Sequence, residues 1–230
     1  MVCEKKGIIE DVELICEELE MKSYEVLSKN NDILLLGSKN CSIVLLREER
    51  CMSVYRISTE EKKYLLFVVH LVSPMHKEET ARDSRLFELR IDIEDIEKEE
   101  YEYSGEVLSS VIVGDFNLQP YSHGVIGTAG LNAIMSKERA REKKRIVNGR
   151  EREFFYNPMW ALMGADKVVQ GTYYSDTDSQ DESMYWYTWD QVLMRPDLVD
   201  YFLMEELKII DRIAGKSMLT NGNVHKVDKN

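Results

Sequence analysis

Four cysteines in 230 residues, none in a Cys-x-x-Cys pair, leave little basis for a disulfide framework or a zinc site. Cys3, Cys16, Cys41 and Cys51 therefore read as reduced, mostly core residues of a cytosolic protein. No apolar run approaches the roughly 20 residues that a membrane span needs, and no stretch reads as a signal peptide. A cytoplasmic location without membrane contact is expected. Positive charge is also short: 30 Lys and Arg stand against 42 Asp and Glu, a net charge of −12, with an isoelectric point near 4.9. That balance keeps the chain in solution. It disfavours tight non-specific binding to duplex nucleic acid, which depends on neutralising phosphates with Lys and Arg. It does not exclude a nuclease, because a bound divalent metal supplies positive charge locally. Internal repeats and long linkers are absent too. The chain is 43% hydrophobic and 31% charged, enough for one sizeable core, and one domain over 1–230 is the default.

Ile8, Val12, Ile15 and Leu19 recur at helical spacing, which predicts an amphipathic helix over roughly residues 8–21. Four strand-like runs follow, Ile33–Leu36, Ser42–Leu46, Met52–Ile57 and Tyr64–His70, divided by polar turns such as Gly37-Ser38-Lys39-Asn40. Leu86, Leu89, Ile93 and Ile96 mark a second helix over about residues 78–99. Beyond the next strand comes a helix through Leu131–Ile134 with a charged tail. Strands follow at Gly171–Tyr174 and Tyr187–Met194, with a last candidate at Leu207–Asp211. Dominant strands with helices outside predict a layered, sheet-on-sheet domain of mixed α/β (α+β) class.

The densest chemistry lies in Val111-Ile112-Val113-Gly114-Asp115-Phe116-Asn117. A β-branched strand runs into a glycine, a carboxylate and an amide. Residues two apart in a strand share a face, so Asp115 and Asn117 would sit together at the strand's carboxyl end with Phe116 turned away. Gly114 lets backbone or ligand come close. A carboxylate that can hold a metal or a water, beside an amide that can bind a phosphate oxygen, suits phosphoester hydrolysis. Asp and Asn also suit an ordinary strand-to-turn exit.

This run resembles the Gly-Asp-Phe-Asn signature of the endonuclease/exonuclease/phosphatase superfamily. The resemblance implies a deoxyribonuclease I-like sandwich of two packed mixed β-sheets flanked by helices. Upstream, the strand Phe67–His70 and the following Leu71-Val72-Ser73-Pro74 stand where that family places an active-site histidine. His70 would donate to a phosphate oxygen, since histidine titrates close enough to neutral pH for either state to serve. His76 reads as a bystander, and His123 as a substrate contact. Downstream, Tyr187-Thr188-Trp189-Asp190-Gln191-Val192-Leu193 resembles the family's strand with an embedded aspartate that orients or binds near the centre. Asp190 would be costly to bury without a partner. Val2-Cys3-Glu4 resembles the strand end whose glutamate is a principal magnesium ligand, which makes Glu4 the metal-ligand candidate.

Two family elements are not found. Relatives have a first strand ending in an asparagine before that glutamate, and a final Ser-Asp-His with a further strand. The resemblance covers roughly residues 2–212, and the chain reads as trimmed at both ends. Exposed strand edges would then invite association. Loss of an acid/base group costs roughly 10²–10⁴-fold in rate.

Phe154-Phe155-Tyr156-Asn157-Pro158-Met159-Trp160 and Gly171-Thr172-Tyr173-Tyr174 resemble runs of a bacterial subgroup of the superfamily. They serve either as core and loop anchors or as an aromatic wall for a flat group, with Asn157 and Tyr173 as substrate contacts. Base–aromatic stacking is worth about 1–3 kcal/mol. The segment Lys137–Arg152 holds eight basic residues against Glu138, Glu142 and Glu151, a local charge of +5. It is either a solvated helical face or a track for a nucleic-acid backbone, with Lys143, Lys144 and Arg145 as contacts.

The implied chemistry is metal-assisted phosphodiester hydrolysis. Glu4 would hold Mg²⁺ or Mn²⁺, ions suited to oxygen ligands. Asp115 would position or deprotonate the attacking water, Asn117 and His70 would bind phosphate oxygens, and Asp190 would orient a neighbour. A DNA or RNA strand is the expected substrate. The alternatives are a small-molecule phosphatase or phosphodiesterase and a catalytically impaired binding or assembly protein of the same fold.

Overall fold

Alternation of apolar residues along several strand runs builds one mixed sheet, which dominates the protein. The computed structural model describes residues 41–49, 51–72, 79–164, 169–175 and 184–213. It also describes short strand segments at 2–3, 24–26, 33–38, 216–217, 219–220 and 223–224. Seven strands form the main sheet: β1 (Ser42–Glu49), β2 (Met52–Ser58), β3 (Lys63–His70), β4 (Ser109–Asp115), β5 (Ala133–Ile134), β6 (Phe155–Tyr156) and β7 (Asp190–Met194). Their spatial order is β1-β2-β3-β4-β7-β6-β5. The β3–β4 and β6–β5 pairs are parallel and the others antiparallel. A parallel pair needs a long crossover, and α1 (Glu79–Ser104) supplies it between β3 and β4.

The period-two alternation gives the sheet two different faces. Leu65, Phe67 and Val69 of β3, Ile112 of β4 and Leu193 of β7 point to one face. Leu86, Leu89, Ile93 and Ile96 of α1 cover them. These four α1 residues are the stripe expected from the sequence, and they make a continuous helical edge. On the opposite face, Tyr55, Ile57 and Val68 gather with Leu35, Leu66 and Val113. Tyr156, Met194, Leu198 and Val199 gather there with Val111 and Val192. At the end of β7, Arg195 reaches back to α1, its Nε and Nη2 donating to the two carboxylate oxygens of Glu97 at 2.9 and 2.8 Å. Ser110 Oγ donates to the same carboxylate at 2.6 Å.

The mixed α+β class stands, with two-stranded pairs and helices beside the main sheet. Several elements differ from expectation. The helix expected through Leu131–Ile134 is strand β5. Helix around it is confined to the single turns His123–Ile126 and Lys137–Ala140, and Ala133 and Ile134 pair with Phe155 and Tyr156 instead. The expected strand Tyr187–Met194 is split in two, Trp186–Tyr187 and β7. The hydroxyl of Thr172 accepts from the N–H groups of both Trp189 and Asp190 at 3.0 Å, which removes those donors from any ladder. Residues 207–211 form no strand. The charged segment is not a helical face: after one turn, Lys137–Ala140, it becomes a hairpin, Lys144–Val147 paired with Arg150–Glu153. Asn148 and Gly149 make its turn at φ 50° and 73°, the left-handed pair favoured in tight hairpins. The expected helix over roughly residues 8–21 lies outside the described residues.

Candidate active site

Three neighbouring strands deliver His70, Asp115 and Asp190 to one row. In the parallel β3–β4 pair His70 lies beside Asp115, and in the antiparallel β4–β7 pair Asp190 lies opposite Asp115. Residues paired across a sheet share a face, and by alternation this is the face away from α1. His70 Nε2 is 3.9 Å from Asp115 Oδ2, and both side chains are mostly buried. That separation is too long for a hydrogen bond, so the contact is an ion pair when the imidazole is protonated. Asp190 is exposed.

The local sequence explains why the row holds. Gly114 has φ 146°, and a Cβ there would sit 1.9 Å from the carbonyl oxygen of Val69. Only glycine fits, and the close approach brings β3 and β4 together at the site, as the sequence predicts. Asp115 Oδ1 accepts from the N–H of Asn117 at 2.7 Å, a side-chain turn typical of Asp that fixes the rotation of the carboxylate. Asn117, at φ 51°, is buried. Its Nδ2 donates to the carbonyl of Leu71 at 2.8 Å, and its own carbonyl accepts from the Arg82 guanidinium. The N–H of Leu71 donates to the Asp115 carbonyl at 2.8 Å, and that of Phe116 to the Trp189 carbonyl at 2.9 Å. The ends of β3 and β4 and the start of β7 are thereby laced together, while Phe116 turns into the core under α1.

No protein-family model and no curated relative matches the chain. Solved structures do. Truncated TDP2 of Caenorhabditis elegans aligns at TM-score 0.44 and 16% identity, over 80% of this chain and 66% of that one. TDP2 of D. rerio, complexed with a single-strand DNA product, aligns at 0.42 and 15% over 82% and 67%. An endonuclease/exonuclease/phosphatase family protein of Bacteroides thetaiotaomicron aligns at 0.41 and 11% over 76% and 59%. The likeness to each of these three is one of structure alone, at low identity. The chain spans about two-thirds or less of their lengths.

The remaining candidates are scattered. Glu4 and His76 lie outside the described residues. His123 opens the turn His123–Ile126 and packs edge-on against Phe87 of α1, 6.2 Å between ring centroids, on the helix side of the sheet. Asn157 is fully buried. Its Nδ2 donates to Gln191 at 2.8 Å and its Oδ1 accepts from the N–H of Met159 at 3.0 Å, so both ends of the amide serve the core rather than a substrate. Tyr173 is 43% exposed and stacks on Trp189 at 4.3 Å and 14°, next to Asp190.

Lys143, Lys144 and Arg145 are not part of the row. The chain passes from their hairpin into β6, where Tyr156 pairs with Met194, the end of β7 far from Asp190. Lys143 donates to Asp197, which raises its pKa, and pairs at 2.7 Å. Lys144 pairs with Glu151 at 2.6 Å. Arg141 beside Asp200 holds that carboxyl below its ordinary value.

Residues not singled out from the sequence frame the site. Thr172 pins the start of β7, Arg82 holds the Asn117 carbonyl, and Gln191 donates to the Leu118 carbonyl at 2.7 Å. Gln119 accepts from the N–H of Thr188 at 3.1 Å. Their role comes from long-range hydrogen bonds that carry no local pattern. For a divalent ion, Asp115 and Asp190 offer hard oxygen donors of the right chemistry. Among the described residues, however, no three His, Cys, Asp or Glu side chains gather closely enough to hold a metal.

Proposed function

We propose that this chain is a phosphodiester hydrolase whose reacting centre is the His70–Asp115–Asp190 row. The observation that carries the reading is the row itself: an imidazole and two carboxylates from three strands, with Asp115 fixed by the Asn117 N–H. Asp115 orients and deprotonates the attacking water. His70 donates to a phosphate oxygen, and Asp190 orients its neighbour across the strand pair. An amide nitrogen carries two hydrogens; one on Asn117 is committed to Leu71, and the second is the donor to phosphate. Mg²⁺ or Mn²⁺ belongs to the proposal with Glu4 as its further ligand, and when bound it supplies polarisation of the phosphoryl oxygen.

The proposed substrate is a nucleic-acid strand. The second reading, a small phosphoester, is favoured by the distance of the basic hairpin from the row. The test is hydrolysis of single- and double-stranded DNA and RNA, together with a panel of small phosphoesters, in Mg²⁺ or Mn²⁺. It compares the parent chain with Asp115→Ala. EDTA-sensitive turnover that falls by about 10²-fold or more in the variant is expected. Equal turnover in the two proteins refutes the centre. Turnover insensitive to salt selects the small substrate, because binding to a nucleic acid weakens steeply with salt.

A further inference from the structure

The two faces of the hairpin Lys144–Val147/Arg150–Glu153 carry different charge. Its register places Arg145 opposite Arg152 and Val147 opposite Arg150. Alternation puts these four on one face and Lys144, Ile146, Glu151 and Glu153 on the other. All the acidic residues of the hairpin thus lie on the second face. There Glu151 is paired with Lys144 at 2.6 Å, and Glu153 faces Arg195 at 3.6 Å. The first face holds three arginines and no carboxylate. Among the described residues, no ion pair engages Arg145, Arg150 or Arg152.

Like charges directly opposite in a strand pair destabilise it, so an Arg–Arg pair in a chain of net charge −12 calls for an external anion. The base of the hairpin is also held in advance. Asn132, at φ 50°, donates its Nδ2 to the carbonyls of Arg152 and Glu153 at 3.2 and 2.9 Å. Its Oδ1 accepts from Arg145 Nε at 2.9 Å, while the guanidinium lies over the Phe154 ring at 6.0 Å. A hydrogen-bonded, ring-backed guanidinium loses little freedom when it meets a phosphate.

We infer that the Arg145–Arg150–Arg152 face is a nucleic-acid backbone site distinct from the reacting centre; it deepens, and rests on, the nucleic-acid reading above. The face lies beyond the Met194 end of β7. Asp190 is four residues further along that strand, roughly 14 Å at about 3.4 Å per residue. A short phosphoester held at the row cannot reach it, whereas a duplex of several base pairs can, at about 3.4 Å per pair. Lys143 and Lys144, whose charges are matched by Asp197 and Glu151, are not part of it.

The test is fluorescence anisotropy of a labelled duplex of about 20 base pairs in EDTA, across about 0.05–0.2 M salt, with the full chain. Each phosphate contact contributes about 0.9 to the slope of log affinity against log salt. The double variant Arg150→Gln/Arg152→Gln is therefore expected to lower that slope by about 2, and to bind roughly fifty-fold more weakly at about 0.1 M salt. Lys144→Gln, on the other face, is expected to keep the parent slope. An unchanged slope in the double variant overturns the inference. So does a parent that ignores duplex but is held by phosphatidylserine vesicles through the same arginines. Turnover of a small chromogenic phosphodiester by the parent separates the two claims. Turnover with an unchanged slope removes only the arginine face, and a lowered slope without turnover removes only the hydrolase reading.

Discussion

Removing the Arg195 guanidinium should damage this fold more than removing any of its surface cations. The Arg195 side chain is 7% exposed and that of Glu97 19%. The two share two hydrogen bonds, and the guanidinium also lies over the Phe155 ring at 4.1 Å. Arg195→Met would leave a largely buried carboxylate with Ser110 Oγ as its remaining donor in this cluster. Stripping one partner from a buried pair costs about 3–5 kcal/mol. At about 2–4 °C per kcal/mol for a chain of this size, Tm should drop by roughly 6–20 °C. The double variant Glu97→Met/Arg195→Met removes the stranded charge and fills the space with apolar groups. It should lose less than Arg195→Met alone, because replacing a buried ion pair by packing groups is often neutral or better. Its remaining cost is the orphaned Ser110 hydroxyl, about 1–3 kcal/mol. Lys63, about half exposed and paired with an equally exposed Glu106, is the control: Lys63→Met should stay within about 0.5 kcal/mol. Urea unfolding followed by circular dichroism on the parent, Glu97→Met, Arg195→Met and the double variant supplies the cycle, with Lys63→Met measured beside it. A loss below about 1 kcal/mol in Arg195→Met, or additive losses in the double variant, would refute the reasoning.

Gly114→Ala should destabilise by about 3 kcal/mol or more, since the new methyl collides with the Val69 carbonyl at a backbone angle alanine rarely adopts; a urea midpoint equal to the parent's would contradict this. Burial pushes the phenols of Tyr64 and Tyr156 up from their ordinary value. Their folded pKa values lie above the unfolded one, so their contribution to stability is fully present below about pH 10 and is lost as pH rises through the folded values. Tyr156→Phe should flatten the alkaline fall in Tm, and an identical fall in both proteins would show that this phenol is not responsible.

Strand parity singles out Asp115 in the sequence and the resemblance supplies His70 and Asp190; the structure sets the three in one register row. Asp115 closes a β-branched run, His70 closes another, and Asp190 opens a third. Phe116 turned inward as period two requires. For Asn157 the sequence leaves core anchor and substrate contact open, because its burial depends on Gln191, a partner 34 positions away. A linear count of charge over Lys137–Arg152 gives a solvated face or a backbone track but not the end of the sheet those residues occupy, which the hairpin and its place before β6 set. The hairpin had its own signal in Asn148-Gly149, overridden by the density of charge around it. Two-residue strands such as β5 carry no periodicity and are set by their partners alone. Glu4 lies outside the described residues, so its place rests on the resemblance.

The three residues of the row are distant along the chain. A long helix separates the first from the second, and β5, the Lys144–Val147/Arg150–Glu153 hairpin, β6 and the strand pair Tyr173–Tyr174/Trp186–Tyr187 separate the second from the third. Each register contact closes a large loop before it returns any stabilisation, and folds rich in such contacts form slowly. No fragment carrying two of the strands can assemble the centre. On the proposed function, a refolding chain recovers turnover only when β3, β4 and β7 have all paired, so activity measured against time becomes a clock for closure of the central sheet.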